Sequence, residues 1–154
     1  DIDNSIEKNI KNLADAKNVT PADIVVCILD RPRHKDIISG VRESGARIML
    51  ISDGDVSGVI ATAQPDAGVD LYLGSGGAPE GVLAAAALRC IGGQMQGRLM
   101  FRNDDEISRA RRWGIEDLEK KYCLSELAKG DVMFAATGVT GGTMLKGGDP
   151  SVYN

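Results

Sequence analysis

Apolar positions along the chain switch between two periods, and the switches mark out its elements. Residues 5–16 space Ile6, Ile10 and Leu13 at helical intervals with polar residues between them, which predicts an amphipathic helix. Asn18, Pro21 and Asp23 break that pattern, and residues 24–29 (IVVCIL) follow as an unbroken apolar run. A run rich in β-branched residues and without alternation predicts a strand buried on both faces, as in a parallel sheet. Residues 47–52 (RIMLIS) read the same way, and residues 69–73 (VDLYL) predict a third strand. Between the strands, Ile37, Ile38 and Val41 mark one helix face, with Gly45 as its C-cap, and Val56, Val59 and Ile60 mark another. Residues 79–90 are apolar along most helical faces, which predicts a helix buried between layers.

The pattern weakens further along. Residues 95–101 (MQGRLMF) are a plausible strand interrupted at Gly97. Residues 103–121 are the most charged segment: Asp104, Asp105 and Glu106 precede Arg109, Arg111 and Arg112, a favourable order for a solvated helix, with Trp113, Ile115 and Leu118 to anchor it. A short helical turn over 125–130 leads into residues 131–136 (DVMFAA), a predicted buried strand, and then a small-residue loop over 137–142. Strands alternating with helices at roughly thirty-residue intervals imply βαβ crossovers, and so an α/β fold with a largely parallel sheet.

Composition narrows the class. The chain has 154 residues, 43% hydrophobic and 26% charged, enough for one core and hence one domain. A net charge of -4 argues against nucleic acid as a partner while permitting a local basic pocket for an anionic metabolite. No apolar run approaches the roughly 20 residues that cross a bilayer, and the polar, acidic start DIDNSIEKN is unlike a signal peptide; a cytoplasmic protein with no membrane partner is expected. Cys27, Cys90 and Cys123 lack metal-site spacing, and Cys27 and Cys90 read as core filling.

The candidate chemistry lies where strands end. After the first strand comes Asp30-Arg31-Pro32-Arg33-His34-Lys35, where arginine forks suit a phosphate; a solvated basic turn is the other reading, and His34 alone reads as a packed or surface residue. After the second comes Asp53-Gly54-Asp55, able to bind metal or sugar hydroxyls, or to cap the next helix; one aspartate is expected to cap and the other to face ligand. After the third, Gly74-Ser75-Gly76-Gly77 leads into a helix opening at Ala78-Pro79-Glu80. Its free N–H groups could hold a phosphate or a metal–phosphate pair, or the glycines could simply make the turn. Right-handed crossovers put all three loops on one rim, and together they match a phosphorylated polyol: arginines on phosphate, aspartates on hydroxyls, Glu80 on a divalent metal. A serine elbow, a cysteine–histidine pair and a Walker loop are all absent.

The segments Leu29-Asp30-Arg31-Pro32-Arg33-His34, Ile51-Ser52-Asp53-Gly54-Asp55-Val56, Gly76-Gly77-Ala78-Pro79-Glu80-Gly81-Val82 and Phe134-Ala135-Ala136-Thr137-Gly138-Val139-Thr140 resemble, in order and spacing, the class II fructose-1,6-bisphosphatases of the lithium-sensitive sugar phosphatase superfamily. Some relatives also cleave sedoheptulose-1,7-bisphosphate. The resemblance implies that Arg31, Pro32 and Arg33 form the phosphate-binding turn, where lysine is common at the position of Arg31. It further implies that Asp53, Gly54, Asp55 and Gly77 contact the sugar phosphate and that Glu80 is a metal ligand. The implied reaction is hydrolysis of the 1-phosphate by water activated at Mn²⁺ or Mg²⁺.

Against that family the chain matches only the carboxy-terminal half. The amino-terminal half, with most of the metal carboxylates and the water-positioning threonine, has no counterpart here, so no catalytic residue is expected in this chain. The family also continues beyond the last glycine-rich loop. A fragment is therefore expected, associating with the missing half or as a homo-oligomer. An isolated sugar-phosphate-binding module is the competing reading. A dinucleotide site is disfavoured because DRPRHK, and not GxGxxG, follows the first strand.

Overall fold

The structure, a computed structural model, describes residues 1–138 together with 141, 144, 145 and 147. Ser5 accepts a hydrogen bond from the Lys8 N–H and opens α1 (Ile6–Lys17), which buries Ile10 and Ala14 and closes on Asn18 in the left-handed region. The apolar run becomes β1 (Val25–Leu29), which pairs in parallel with β2 (Arg47–Ile51) on one side and β3 (Leu71–Tyr72) on the other. The strand order is β2-β1-β3, so the first strand in sequence is central in space.

Each connection is helical: α2 (Lys35–Glu43) links β1 to β2, α3 (Asp55–Ala61) leads from β2 towards β3, and α4 (Ala78–Ile91) follows β3. Alternate residues of β1 face opposite layers, as strand geometry requires. Val26 and Ile28 join Ile10, Ala14 and Val41 in a core built with α1 and α2. On the other face Tyr72 packs with Val59 of α3 and Ala84 and Leu88 of α4. Gly58 permits this closeness: a Cβ there would stand 3.0 Å from Ile51 Cδ1, 3.1 Å from Tyr72 Cε2 and 3.2 Å from Cys27 Sγ.

The helices after β1 and β3 thus belong to opposite layers. Adjacent parallel strands whose outgoing connections diverge leave a crevice at their carboxyl ends, and in open α/β sheets ligands bind there.

The expected α/β architecture is present, with local departures. Among the described residues β1 alone is buried along nearly its whole length. β2 is an edge strand in the described residues, with Met49 39% and Leu50 44% exposed, because no further strand or helix covers it. One side of α4 is buried, but Val82, Leu83 and Ile91 are exposed, as is Cys90, so this cysteine is not core filling. Residues 95–101 shrink to β4 (Gln96–Gly97), antiparallel to β5 (Tyr122–Cys123). Residues 131–136 form no strand: they have no ladder partner among the described residues, and an apolar pattern without one cannot satisfy its backbone as sheet. Phe134 and Ala136 instead line an apolar cleft with Ile60, Ala87 and Ile91.

The charged helix is α5 (Asp104–Arg112), capped by Asn103, whose side chain accepts from the Glu106 N–H. Trp113 does not anchor it; the indole is 77% exposed at the helix end. The short α6 (Leu124–Leu127) completes the order. No helix among the described residues is long and apolar enough to cross a membrane. Part of the small-residue loop over 137–142, including Val139 and Thr140, lies outside the described residues.

Candidate functional site

All three loops singled out in the sequence stand at the carboxyl rim of the sheet. After β1, Pro32 opens a single 3₁₀ turn (Pro32–His34) that runs directly into α2. The turn lies next to the glycine loop after β3, and the contact is specific. Arg33 donates from Nε (2.9 Å) and Nη2 (2.8 Å) to the carbonyl oxygen of Ser75. Arg33 is exposed, so its outer edge, Nη1 included, is free for a ligand. Arg31 donates from Nη1 to the Asp30 carbonyl oxygen at 2.8 Å, a local bond that leaves it beside the crevice and not across it.

After β2, neither aspartate caps α3. The N-cap is Gly54, at φ 81°, a left-handed conformation that an L side chain rarely adopts, and no side chain caps the helix. Asp53 Oδ1 accepts from the Gly54 N–H at 2.8 Å, and Asp55 Oδ1 accepts from the Val56 N–H at 2.9 Å. The expected division of labour between them therefore fails: each carboxylate has one oxygen on its neighbour's amide, because the left-handed turn at Gly54 supplies the helix start. Asp55 reaches the third loop, where its Oδ2 would lie 3.4 Å from a Cβ added at Gly76.

The glycine loop ends at Gly77, the N-cap of α4, with Pro79 in the first turn and Glu80 after it. The Glu80 carboxylate folds back over Gly77, so closely that a Cβ there would overlap Glu80 Oε2. A side chain at position 77 would turn this exposed carboxylate aside. Among the described residues the Gly76 and Gly77 N–H groups have no protein acceptor, and both residues are exposed. Two free amides, a helix N-terminus and an arginine edge make a surface suited to anionic oxygens.

Beneath the rim, burial pushes the Tyr72 hydroxyl up to about 12, the nearby Asp55 carboxylate and Cys27 add to the rise, and Arg33 opposes it. Tyr72 therefore stays a neutral phenol beside the charged groups. The structure brings together Arg33, Asp55, Gly77 and Glu80, whereas Arg31 and Asp53 make only local bonds. Two residues that the sequence did not single out for the site join it: Ser75, which receives Arg33, and His34, which is fully buried beneath it. The signal for His34 was its phase. It stands four residues before Ile38 and seven before Val41, on the helix face that meets the sheet.

The family model for bacterial fructose-1,6-bisphosphatase, glpX-encoded, matches residues 1–151. The chain belongs to this family. Among its curated relatives, the proteins of Crocosphaera subtropica and Trichodesmium erythraeum, each named D-fructose 1,6-bisphosphatase class 2/sedoheptulose 1,7-bisphosphatase, are 41% identical to it over 160 residues. The match takes in 96% of this chain and 46% of each relative, so the chain spans about half the length of the curated relatives it matches. The same identity and coverage hold for the namesake from Microcystis aeruginosa.

A bisphosphatase family implies a divalent metal. Among the described residues no three histidine, cysteine or carboxylate side chains stand close enough to hold one. Glu80, exposed at the rim, fits as a single carboxylate ligand and does not amount to a site.

Proposed function

We propose that this chain is the substrate-binding, carboxy-terminal half of an enzyme that hydrolyses the 1-phosphate of fructose-1,6-bisphosphate, giving fructose 6-phosphate and phosphate. The observation that carries this reading is the convergence of Arg33, Asp55, the free Gly76 and Gly77 amides and Glu80 at the switch point of the sheet. Arg31 and Arg33 on the Pro32 turn hold a phosphate group; Asp53, Gly54 and Asp55 meet the sugar hydroxyls; Gly77 and its neighbour amide approach the substrate backbone-first. Glu80 contributes one carboxylate to Mn²⁺ or Mg²⁺, and the remaining ligands come from outside the described residues. A divalent ion supplies charge neutralisation at the phosphoryl oxygens and an acidified water. What this chain's residues supply is position: a ligand held at two points loses the freedom that would otherwise raise the barrier.

The half-exposed Met49 and Leu50 on edge strand β2 support association with the remaining half of the enzyme or with a second copy. The free thiols of Cys27, Cys90 and Cys123 are in keeping with a cytoplasmic setting. Sedoheptulose-1,7-bisphosphate is the second reading of the substrate, favoured by the double name of the relatives.

Phosphate release from both bisphosphates, with Mn²⁺ and with Mg²⁺, tests the proposal on the 154-residue chain, the full gene product and its Glu80→Gln variant. Release by the full gene product, with a loss beyond about a hundredfold in Glu80→Gln, is the expected result, since even outer-shell partners of metals cost 10–100-fold. Binding of sugar bisphosphate without release by the full gene product would reduce the chain to a binding module.

A further inference from the structure

His34 is the only fully buried polar side chain among the described residues, and both of its ring nitrogens are committed. Nδ1 lies 2.7 Å from the carbonyl oxygen of Leu29, the last residue of β1, and must donate to it. Nε2 accepts the Ser75 N–H at 2.9 Å, its shortest contact, with the Ser75 carbonyl oxygen at 3.1 Å and the Ser75 hydroxyl at 3.3 Å beside it. Accepting that N–H requires a bare Nε2, which puts the proton on Nδ1, the atom that faces the Leu29 carbonyl. Arg33, the preceding residue, takes the Ser75 carbonyl oxygen. Consecutive residues of the basic turn therefore grip both backbone polar groups of one residue in the glycine loop. The fit is close, for a Cβ on Gly74 would lie 3.3 Å from His34 Cε1.

We propose that His34 is a positioning residue, whose Nε2 anchors the Ser75 amide so that the glycine loop and the inner edge of Arg33 form one rigid phosphate-binding unit. The proposal rests on the phosphate-binding reading of this rim. It follows from the geometry that Arg33 can offer its outer edge in a fixed orientation only while the Ser75 carbonyl is held still. Without the imidazole acceptor the Gly74–Ser75 peptide loses its anchor, and the Ser75–Gly76 peptide that follows it, which carries both the carbonyl under the Arg33 fork and the Gly76 amide, loses its support.

Two variants separate the two ring nitrogens. His34→Asn places an amide nitrogen near Nδ1, keeps the Leu29 bond and has nothing at Nε2; His34→Gln extends an acceptor oxygen towards the Ser75 amide. In the full gene product, His34→Asn is expected to speed hydrogen exchange at the Ser75 amide about tenfold, as loss of one buried hydrogen bond implies, and to raise KM for the bisphosphate by a similar factor while kcat changes far less. His34→Gln is expected to recover most of both effects. A role confined to packing would instead lower the melting temperature and the active fraction in both variants and leave KM unmoved, and that result overturns the proposal. Unchanged exchange at Ser75 in His34→Asn does so as well. If His34→Asn does not fold, imidazole ¹⁵N spectra of the unmutated protein still decide: the Nδ1–H form is expected, and an Nε2–H form refutes the anchor. Should the unmutated protein release no phosphate from either bisphosphate, the functional reading fails separately, and exchange at Ser75 with inorganic phosphate as the bound probe still tests the clamp.

Discussion

The segment from Ile24 to Ile91 and the segment that follows it are held together by different forces. In the first, β1 lies between two helical layers, and Val26, Ile28, Val41 and Leu88 are wholly buried. In the second, two strands of two residues each form the only described ladder, and Met100, Trp113 and Met133 stand 76%, 77% and 92% exposed. What fastens the second to the first is part apolar and part polar: Met95 and Leu124 pack on the Val59–Ala84–Leu88 cluster, and Arg89 of α4 donates from Nη1 to the Ala128 and Gly130 carbonyl oxygens, 2.6 Å each, while Lys121 ties the second segment to Asp1 and Asp3 ahead of α1. Glu126, bonded by Lys120 and by the Cys123 N–H, falls to about 2. The lesson is that the recognisable chemistry gathers where burial fixes the backbone most firmly. A fork such as Arg33 can be aimed to a fraction of an ångström only from a turn whose own strand is immobile.

That contrast can be broken from either side. Ile28→Ala should have the largest effect on stability, about 2–5 kcal/mol by urea unfolding, because it empties a fully enclosed position in the core between β1 and the helices. A loss below about 1 kcal/mol would mean that the core is loosely packed. Next, Arg33→Met keeps the side-chain length but removes the fork. It should weaken bisphosphate binding in the full gene product by about 2 kcal/mol, read as a 30-fold rise in KM, as charged hydrogen bonds of this kind suggest. An unchanged KM would take Arg33 out of the site.

Asp70 sharpens the comparison at intermediate scale. Partial burial pushes its carboxyl up, but bonds from the Lys17 ammonium and the Val25 N–H (2.8 Å) outweigh that push, and the folded value lies below the ordinary 3.8. A depressed carboxylate contributes stability above its unfolded value, and the contribution is lost as pH falls through the folded value. Asp70→Asn should therefore cost about 1 kcal/mol at pH 7 and nothing once pH is well below 3.8. A cost independent of pH would show that shape, not charge, is what Asp70 provides at the start of β1. The smallest effect belongs to the other region: Trp113→Ser should alter the stability of the chain by no more than about 0.5 kcal/mol, as for exposed positions generally. A larger loss would mean that the indole is covered in solution.

The α/β class was legible in the sequence because an unbroken β-branched run such as that of β1 suits one environment only. The loops were legible for a related reason: arginines after Asp30, paired aspartates around Gly54 and a glycine run before Pro79 are costly in a core and informative at a strand's end. The family likeness carried by those segments was borne out by the match over residues 1–151. Partner-dependent features were not legible. Among the described residues, 131–136 have the composition of a strand and no ladder, Trp113 has the size of an anchor yet stays exposed, and Gly54 displaced both aspartates from the cap by adopting φ 81°.

By itself, then, the sequence determined which stretches could be buried and which residue types would stand at their ends, since periodicity and composition are local properties of the chain. Only the tertiary structure decided which ends meet. Ser75 lies 42 residues from Arg33, and the sheet order that seats β3 beside β1, with β2 on the far side, brings them within 2.9 Å. The same order decides that His34, which reads as an ordinary packed or surface residue, finds the one backbone amide that gives its second nitrogen a partner. Hydrogen bonds are short-ranged and directional, so their pattern depends on which elements the topology brings together and not on the hydrophobic patterning that selects those elements.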